Sequence, residues 1–149
     1  MLESSTTLQI SCQCGHISFP SPSAKPLDLY FCHCTECRAQ SASAFGTSAI
    51  FPSSPLFPLS NDLKSKLRIW SRQSSKGTTK DCYFCPECGV RIMHINRPLP
   101  DGTGGETVSI KGGVIQGLEW NGAKHIWCRS AVVPIPDGAE RWEMEPDED

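Results

Sequence analysis

Seven of the nine cysteines fall into three tight clusters. Cys12-Gln13-Cys14-Gly15 is the first, Cys32-His33-Cys34-Thr35-Glu36-Cys37 the second, and Cys85-Pro86-Glu87-Cys88-Gly89 the third. Cysteines so spaced suit a soft metal ion. A structural zinc takes four closed ligands, whereas a reactive zinc keeps three and leaves one position open. Seven is four plus three, enough for one site of each kind. In the Cys-x-x-Cys-Gly turn two sulfurs point inward, and Gly89 can take positive φ without steric cost. Cys12 and Cys14, two apart on a strand, face the same side. Pairing them with Cys85 and Cys88 makes a four-cysteine tetrahedron. It closes a loop of roughly 70 residues, a large gain in the chain-entropy picture.

Cys32, Cys34 and Cys37 can converge on a second ion. His33 lies between two ligands and should point away from them if the segment is extended. The fourth position falls either to His94 or His125 arriving from afar, or to water or substrate. Three thiolates leave a Zn²⁺ ion with a net charge of about −1, a weak Lewis acid that favours a soft ligand such as a substrate thiol. A thiol bound there loses its proton and presents a nucleophilic sulfur. Arg38, next to Cys37, is a candidate to balance the excess charge or grip a substrate carboxylate; the alternative is a surface arginine. Phe45 either walls the open position or joins the core. Glu36 is either an acid near the cluster or a solvent-facing carboxylate. Cys82 and Cys128 fall outside the ligand count and read as small core residues. The four tryptophans read as core or interface residues. Gly102 to Gly105 has no strand-to-helix context that would support phosphate binding.

The elements that must position these groups are mostly short strands. Leu8, Ile10, Cys12 and Cys14 alternate along one, and Phe45, Thr47, Ala49 and Phe51 along another. Leu67 with Ile69, Tyr83 between Cys82 and Phe84, and Val90, Ile92 and His94 extend the pattern. Val108 with Ile110, and His125-Ile126-Trp127, complete it. The one helical candidate is a turn or two from Thr35 to Ser41. Pro20 to Pro26, Pro52 to Asp62 (a long Ser/Pro-rich stretch running on to Lys66) and Pro98 to Gly105 read as loops. Twelve prolines and twelve glycines agree with short strands and turns. The class is mainly β, with zinc tying distant strands together.

At 149 residues, 1–149 is expected to be a single domain, with a core of about 8–142 and a solvated or frayed acidic tail at 143–149. The net charge of −2 and the lack of a Lys/Arg run argue against a nucleic-acid partner. No apolar run approaches the roughly 20 residues of a membrane span. The N-terminus lacks a basic and apolar leader, so a cytoplasmic location is expected. There cysteine clusters hold metal more often than disulfides.

Cys-x-Cys-Gly, then Cys-His-Cys-x-x-Cys-Arg, then Phe-Cys-x-x-Cys-Gly, in this order, resembles the glutathione-dependent formaldehyde-activating enzymes, a family that includes the centromere protein V group. Ser43-Ala44-Phe45, Trp70-Ser71, Val108-Ser109-Ile110-Lys111-Gly112-Gly113 and His125-Ile126 also fit. The resemblance implies a mainly β, zinc-stabilised β-tent (Mss4-like) fold with little helix. It assigns Cys12, Cys14, Cys85 and Cys88 to a structural zinc, and Cys32, Cys34 and Cys37 to a catalytic one. It implies a carbon–sulfur lyase-class reaction in which glutathione adds to formaldehyde, with a small-molecule thiol and electrophile as partners; the sequence leaves the oligomeric state open. His125, in a matched motif, is a candidate acid–base or supporting residue; the alternative is a strand histidine bonded to backbone. Ala42 stands where the family often has glycine and is expected to narrow the site floor or alter substrate approach. A non-catalytic zinc scaffold or thiol-binding module that meets a protein partner is the alternative function, and it expects a closed second site.

Overall fold

Alternating side chains build two sheets in the computed structural model, which describes residues 6–146. The strands are β1 (Gln9–Ser11), β2 (Ser18–Pro20), β3 (Asp28–Cys32), β4 (Gly46–Pro52), β5 (Arg68–Gln73), β6 (Thr79–Phe84), β7 (Arg91–Asn96), β8 (Thr107–Ile110), β9 (Ile115–Gln116) and β10 (Lys124–Ile126). Two short helices, α1 (Thr35–Ser41) and α2 (Asn61–Lys66), interrupt them. A three-stranded sheet runs β2-β1-β9, and a seven-stranded sheet runs β10-β3-β4-β8-β7-β6-β5. Among these strands β10 joins its neighbour β3 in parallel and the other pairs are antiparallel. The expected mainly β class holds.

The core contains residues of both sheets. Ile10 from the small sheet is fully buried with Ala49, Phe51, Met93, Val108 and Ile110 from the large one. Each large apolar side chain so buried contributes on the order of 2 kcal/mol. Register sets the residues between them on the opposite face: Ile50 pairs with Ser109, and Ser109 with His94. One face of the large sheet is therefore core. The other is polar.

Several sequence expectations are corrected. β1 ends at Ser11, so Cys12 and Cys14 sit in the turn beyond it and not on a strand face. β3 was unread because Leu29 and Phe31 are as apolar as Tyr30 and Cys32, which erases the period-2 signal. β2 and β9 are too short to carry one. The proline-rich stretch from Pro52 to Lys66 holds α2. Ser60 caps it by accepting from Leu63 N–H, Asp62 suits its first turn, Lys64 and Lys66 suit its last, and Leu63 is buried. Of the tryptophans read as core or interface, Trp70 and Trp120 are 50% and 42% exposed, which excludes the core reading for these two and leaves the interface one. The described part of the acidic tail is bonded, not frayed: Trp127 N–H donates to Met144 O, Arg129 N–H to Glu143 O, and Trp127 Nε1 to Glu145 Oε1. Arg141 also pairs with Glu143 at 3.0 Å. Residues 147–149 and the first five, including most of the supposed leaderless segment, lie outside the described residues.

α1 has the expected bounds, and its ends explain them. The Cys34 sulfur takes the place of the usual N-cap oxygen, accepting from Cys37 N–H. At the other end Ala42 N–H donates to Ala39 O and Ser43 N–H to Arg38 O, a Schellman closure with Ala42 in the left-handed region at φ 50°. Ala42 is exposed, so its position near the cluster bears on the helix stop and not on a site floor. An alanine Cβ is strained in this conformation, whereas glycine is not. Ala42→Gly is expected to stabilise the fold by about 1 kcal/mol, read as a higher urea midpoint at unchanged slope. A lower midpoint would show that the lost unfolded-state restriction outweighs the strain.

Candidate functional site

Cys12, Cys14, Cys85 and Cys88 meet with their sulfurs all within 4.8 Å of one another. Cys12 Sγ is 3.6 Å from Cys14 Sγ, and Cys14 Sγ is 3.8 Å from Cys85 Sγ. A tetrahedral zinc with bonds of about 2.3 Å sets its sulfurs about 3.8 Å apart, so the donor set fits that ion. Two turns build the cluster. Gly15 N–H donates to Cys12 O with Gly15 at φ 81°, and Gly89 N–H donates to Cys85 O with Gly89 at φ 78°, as the turn requires. Ile17 N–H also donates to Cys12 Sγ at 3.3 Å. Hydrogen bonding from Val90 N–H draws the Cys88 thiol down to about 6. One turn follows β1 and the other links β6 to β7, so the cluster ties the small sheet to the far half of the large one.

Cys32, Cys34 and Cys37 form the second cluster, again within 4.8 Å. Cys32 ends β3, Cys34 caps α1, and Cys37 follows in its first turn. Gly46 on β4, the register partner of Cys32, permits this approach: a Cβ there would come within 3.0 Å of Cys37 Cβ. Ile126, Tyr30, Trp127 and Trp142 pack around the sulfurs. Hydrogen bonds from Cys32 and Cys37 pull the Cys34 thiol down to about 2, and the bond to Cys34 pushes Cys32 far up. Protons are thus shared among the three, and a soft dication would replace them. Among the described residues no histidine or carboxylate completes the cluster.

The second cluster opens on a cleft of about 730 Å³ on the polar face of the large sheet. That is within the roughly 300–1,000 Å³ that holds a small-molecule ligand. Tyr30, Ser48, Ser109 and His94 lie along its floor, and Arg72, Lys76 and Lys80 carry positive charge to its far side. Glu36, 57% exposed, faces Arg72 at 3.7 Å. A smaller cavity of about 210 Å³, which holds Trp70 and Arg91 with the buried Cys82, shares Glu36, Arg72 and His94 with the cleft.

The other residues singled out from sequence lie elsewhere. His33 points away from the cysteines, as expected, and is fully buried with Nε2 2.9 Å from His125 Nδ1. Phe45 stacks on Phe31 and lies tilted against His33, behind β3 and outside the cleft lining. Burial first, and then the charges of His125, Arg141 and Arg38, lower His33 from its ordinary value. Arg38 does not line the cleft, and its Nε is buried with no hydrogen-bond partner among the described residues. His94, a candidate fourth ligand, accepts instead from Lys111 Nζ at 3.0 Å. Cys82 and Cys128 are buried as expected. Lys111, Ser48, Arg72, Lys80 and Gly46 were missed as site residues. Their signal is the polar half of each alternating strand, which faces the cleft when the apolar half faces the core.

The family model described as glutathione-dependent formaldehyde-activating enzyme matches residues 7–130. No curated protein matches the chain with significant similarity.

The two clusters should separate by substitution. Metal analysis is expected to find two equivalents of zinc per chain. Cys34→Ser should lose about one and leave thermal stability nearly unchanged. Cys88→Ser should lose the other and, by opening a 71-residue loop worth about 4 kcal/mol, lower Tm by roughly 10 °C or more. Equal destabilisation by both would contradict the division of roles.

Proposed function

The chain belongs to the glutathione-dependent formaldehyde-activating enzyme family, and from that premise we propose that it joins glutathione, or a related thiol, to a small aldehyde such as formaldehyde. The observation that carries the reading is the three-cysteine cluster at the mouth of a polar cleft, with no fourth protein ligand among the described residues. A closed scaffold site would have one. Zinc held by the three thiolates would acidify a substrate thiol and keep it nucleophilic at neutral pH.

The chain's own groups supply the rest. Arg72, Lys76 and Lys80 suit the two carboxylates of glutathione, so the peptide lies along the cleft with its sulfur toward Cys32, Cys34 and Cys37. Ile126, Trp127 and Tyr30 exclude water on the opposite flank, which strengthens charge interactions within the site. The sulfur attacks the carbonyl carbon, a carbon–sulfur bond forms, and the carbonyl pair moves to oxygen. Protonation of that oxygen gives the S-hydroxymethyl adduct. Arg38, Phe45 and His125 would act on this step from behind β3, by holding the strand that carries Cys32 and by setting local charge.

The test is the rate of adduct formation between glutathione and formaldehyde, followed by exchange NMR with and without zinc-loaded protein. Acceleration by the wild type, lost in folded Cys34→Ser, is expected. Lys80→Ala should raise KM about tenfold with kcat retained, the loss of one charge-assisted contact. A Cys34→Ser protein as fast as wild type would remove the cluster from the chemistry.

A further inference from the structure

Lys111 is a cation in an unusual place. It follows β8 and is only 8% exposed, yet it pairs with no carboxylate among the described residues. Its Nζ donates to His94 Nδ1 at 3.0 Å, and Ser48 Oγ lies at 3.5 Å. A buried ammonium without an anion is costly and persists only where something repays it. Cys37 and Cys32 of the open cluster lie near enough to favour it once a metal ion holds them as thiolates. Burial brings Lys111 down to about 8, so it remains mainly charged at neutral pH.

An ammonium has three N–H bonds and no lone pair to accept with. His94 Nδ1 must therefore be the acceptor, and the ring proton must sit on Nε2. Burial first, then Lys111, Lys80, Arg72 and Arg91, hold His94 neutral. The ring lies on the wall shared by the cleft and the smaller cavity. A neutral imidazole held by a fixed partner can polarise a carbonyl oxygen and then pass it a proton.

Resting on the functional reading above, we propose that His94 is the proton donor of the addition and that Lys111 is the positioning residue behind it, fixing the ring as the Nε2–H tautomer and refilling it. As the substrate sulfur bonds to the carbonyl carbon, the oxygen takes the His94 Nε2 proton. Nδ1 takes one from Lys111 in the same motion, so no imidazolate forms. Lys111 is left a neutral amine and His94 the Nδ1–H tautomer; the proton released by the next incoming thiol enters at Nε2, and the Nδ1 proton returns to Lys111, which restores both groups. The sum is thiol plus aldehyde giving the hydroxymethyl thioether, with no oxidant or reductant.

Two measurements on zinc-loaded protein decide this. Long-range ¹H–¹⁵N NMR of the histidine rings is expected to show His94 as Nε2–H in the wild type and in Lys111→Arg, and as a tautomer mixture in Lys111→Met. Exchange NMR with glutathione and formaldehyde is expected to show kcat reduced about 10²-fold or more in Lys111→Met and in His94→Gln, with KM little changed. Lys111→Arg should recover part of that loss. If Lys111→Met does not fold, His94→Gln alone carries the kinetic arm. An Nδ1–H His94 in the wild type, or a wild-type kcat in His94→Gln, overturns the proposal. The two readings fail differently. A wild type that accelerates no addition sinks the functional reading and the donor role with it, while the tautomer measurement still judges the Lys111–His94 pair.

Discussion

Four cysteine sulfurs within 4.8 Å of one another can be thiolates together only with a cation clamped between them. Much of the remaining architecture is arranged around that cluster. Its sulfurs come from the turn after β1 and the turn between β6 and β7, so one ion would join the small sheet to the strand pair that carries His94. Cys12 and Cys85 are part of the apolar core, with Cys85 fully buried. Core packing and the clamp therefore reinforce each other. Without the ion, the core would have to hide thiols that share protons unevenly. With it, the two turns are held and the ends of β6 and β7 are set in register, apart from one irregularity at Tyr83 and Phe84.

The large sheet then divides the labour by parity. Phe51, Met93, Val108 and Ile110 face the small sheet and stabilise the fold. Ser48, Ser109 and His94 face the cleft on which the second cluster opens. Gly46 belongs to the same division, because a Cβ there would press against Cys37 Cβ at 3.0 Å as α1 settles against β4 and places Cys37 beside Cys32. With a dication held by three thiolates, the cluster would carry a net negative charge that the cations on the polar face would balance. Lys111 is the deepest of them, and its burial beside thiols is tolerable for that reason.

The ligand partition was legible in the sequence because it is local: two-residue and three-residue spacings survive any fold, and seven sulfurs divide only a few ways. α1 was legible for the same reason, its start set by Cys34. What could not be read was the opposite face. Apolar alternation announces a core, but its polar complement looks like ordinary surface until neighbouring strands show which residues share a cleft. Lys111 lies in a segment that fits the family, and nothing in its sequence neighbours says it is buried. Ala42 was read as a side chain near the site, whereas its importance is a backbone angle. β3 was hidden because both its faces are covered, one by the core and the other by the cysteines and Ile126.

Parity also explains why adjacent histidines differ so much. His33 lies between two ligands on an extended chain, so its ring must leave on the far side of β3. There β10 runs parallel, and His125 pairs with Phe31 in register. The two rings lie 5.2 Å apart at 21°, with Phe45 against His33 and Phe31 edge-on to His125. This pile buttresses the strand from behind, where a substrate in the cleft does not reach. His94 comes from β7, two strands beyond β4, and its alternation with Met93 turns it the other way. Strand phase, not proximity to the cysteine motif, decides which ring faces the cleft. A histidine sixty residues from the motif is therefore the one on the cleft floor, and the one between its ligands is not.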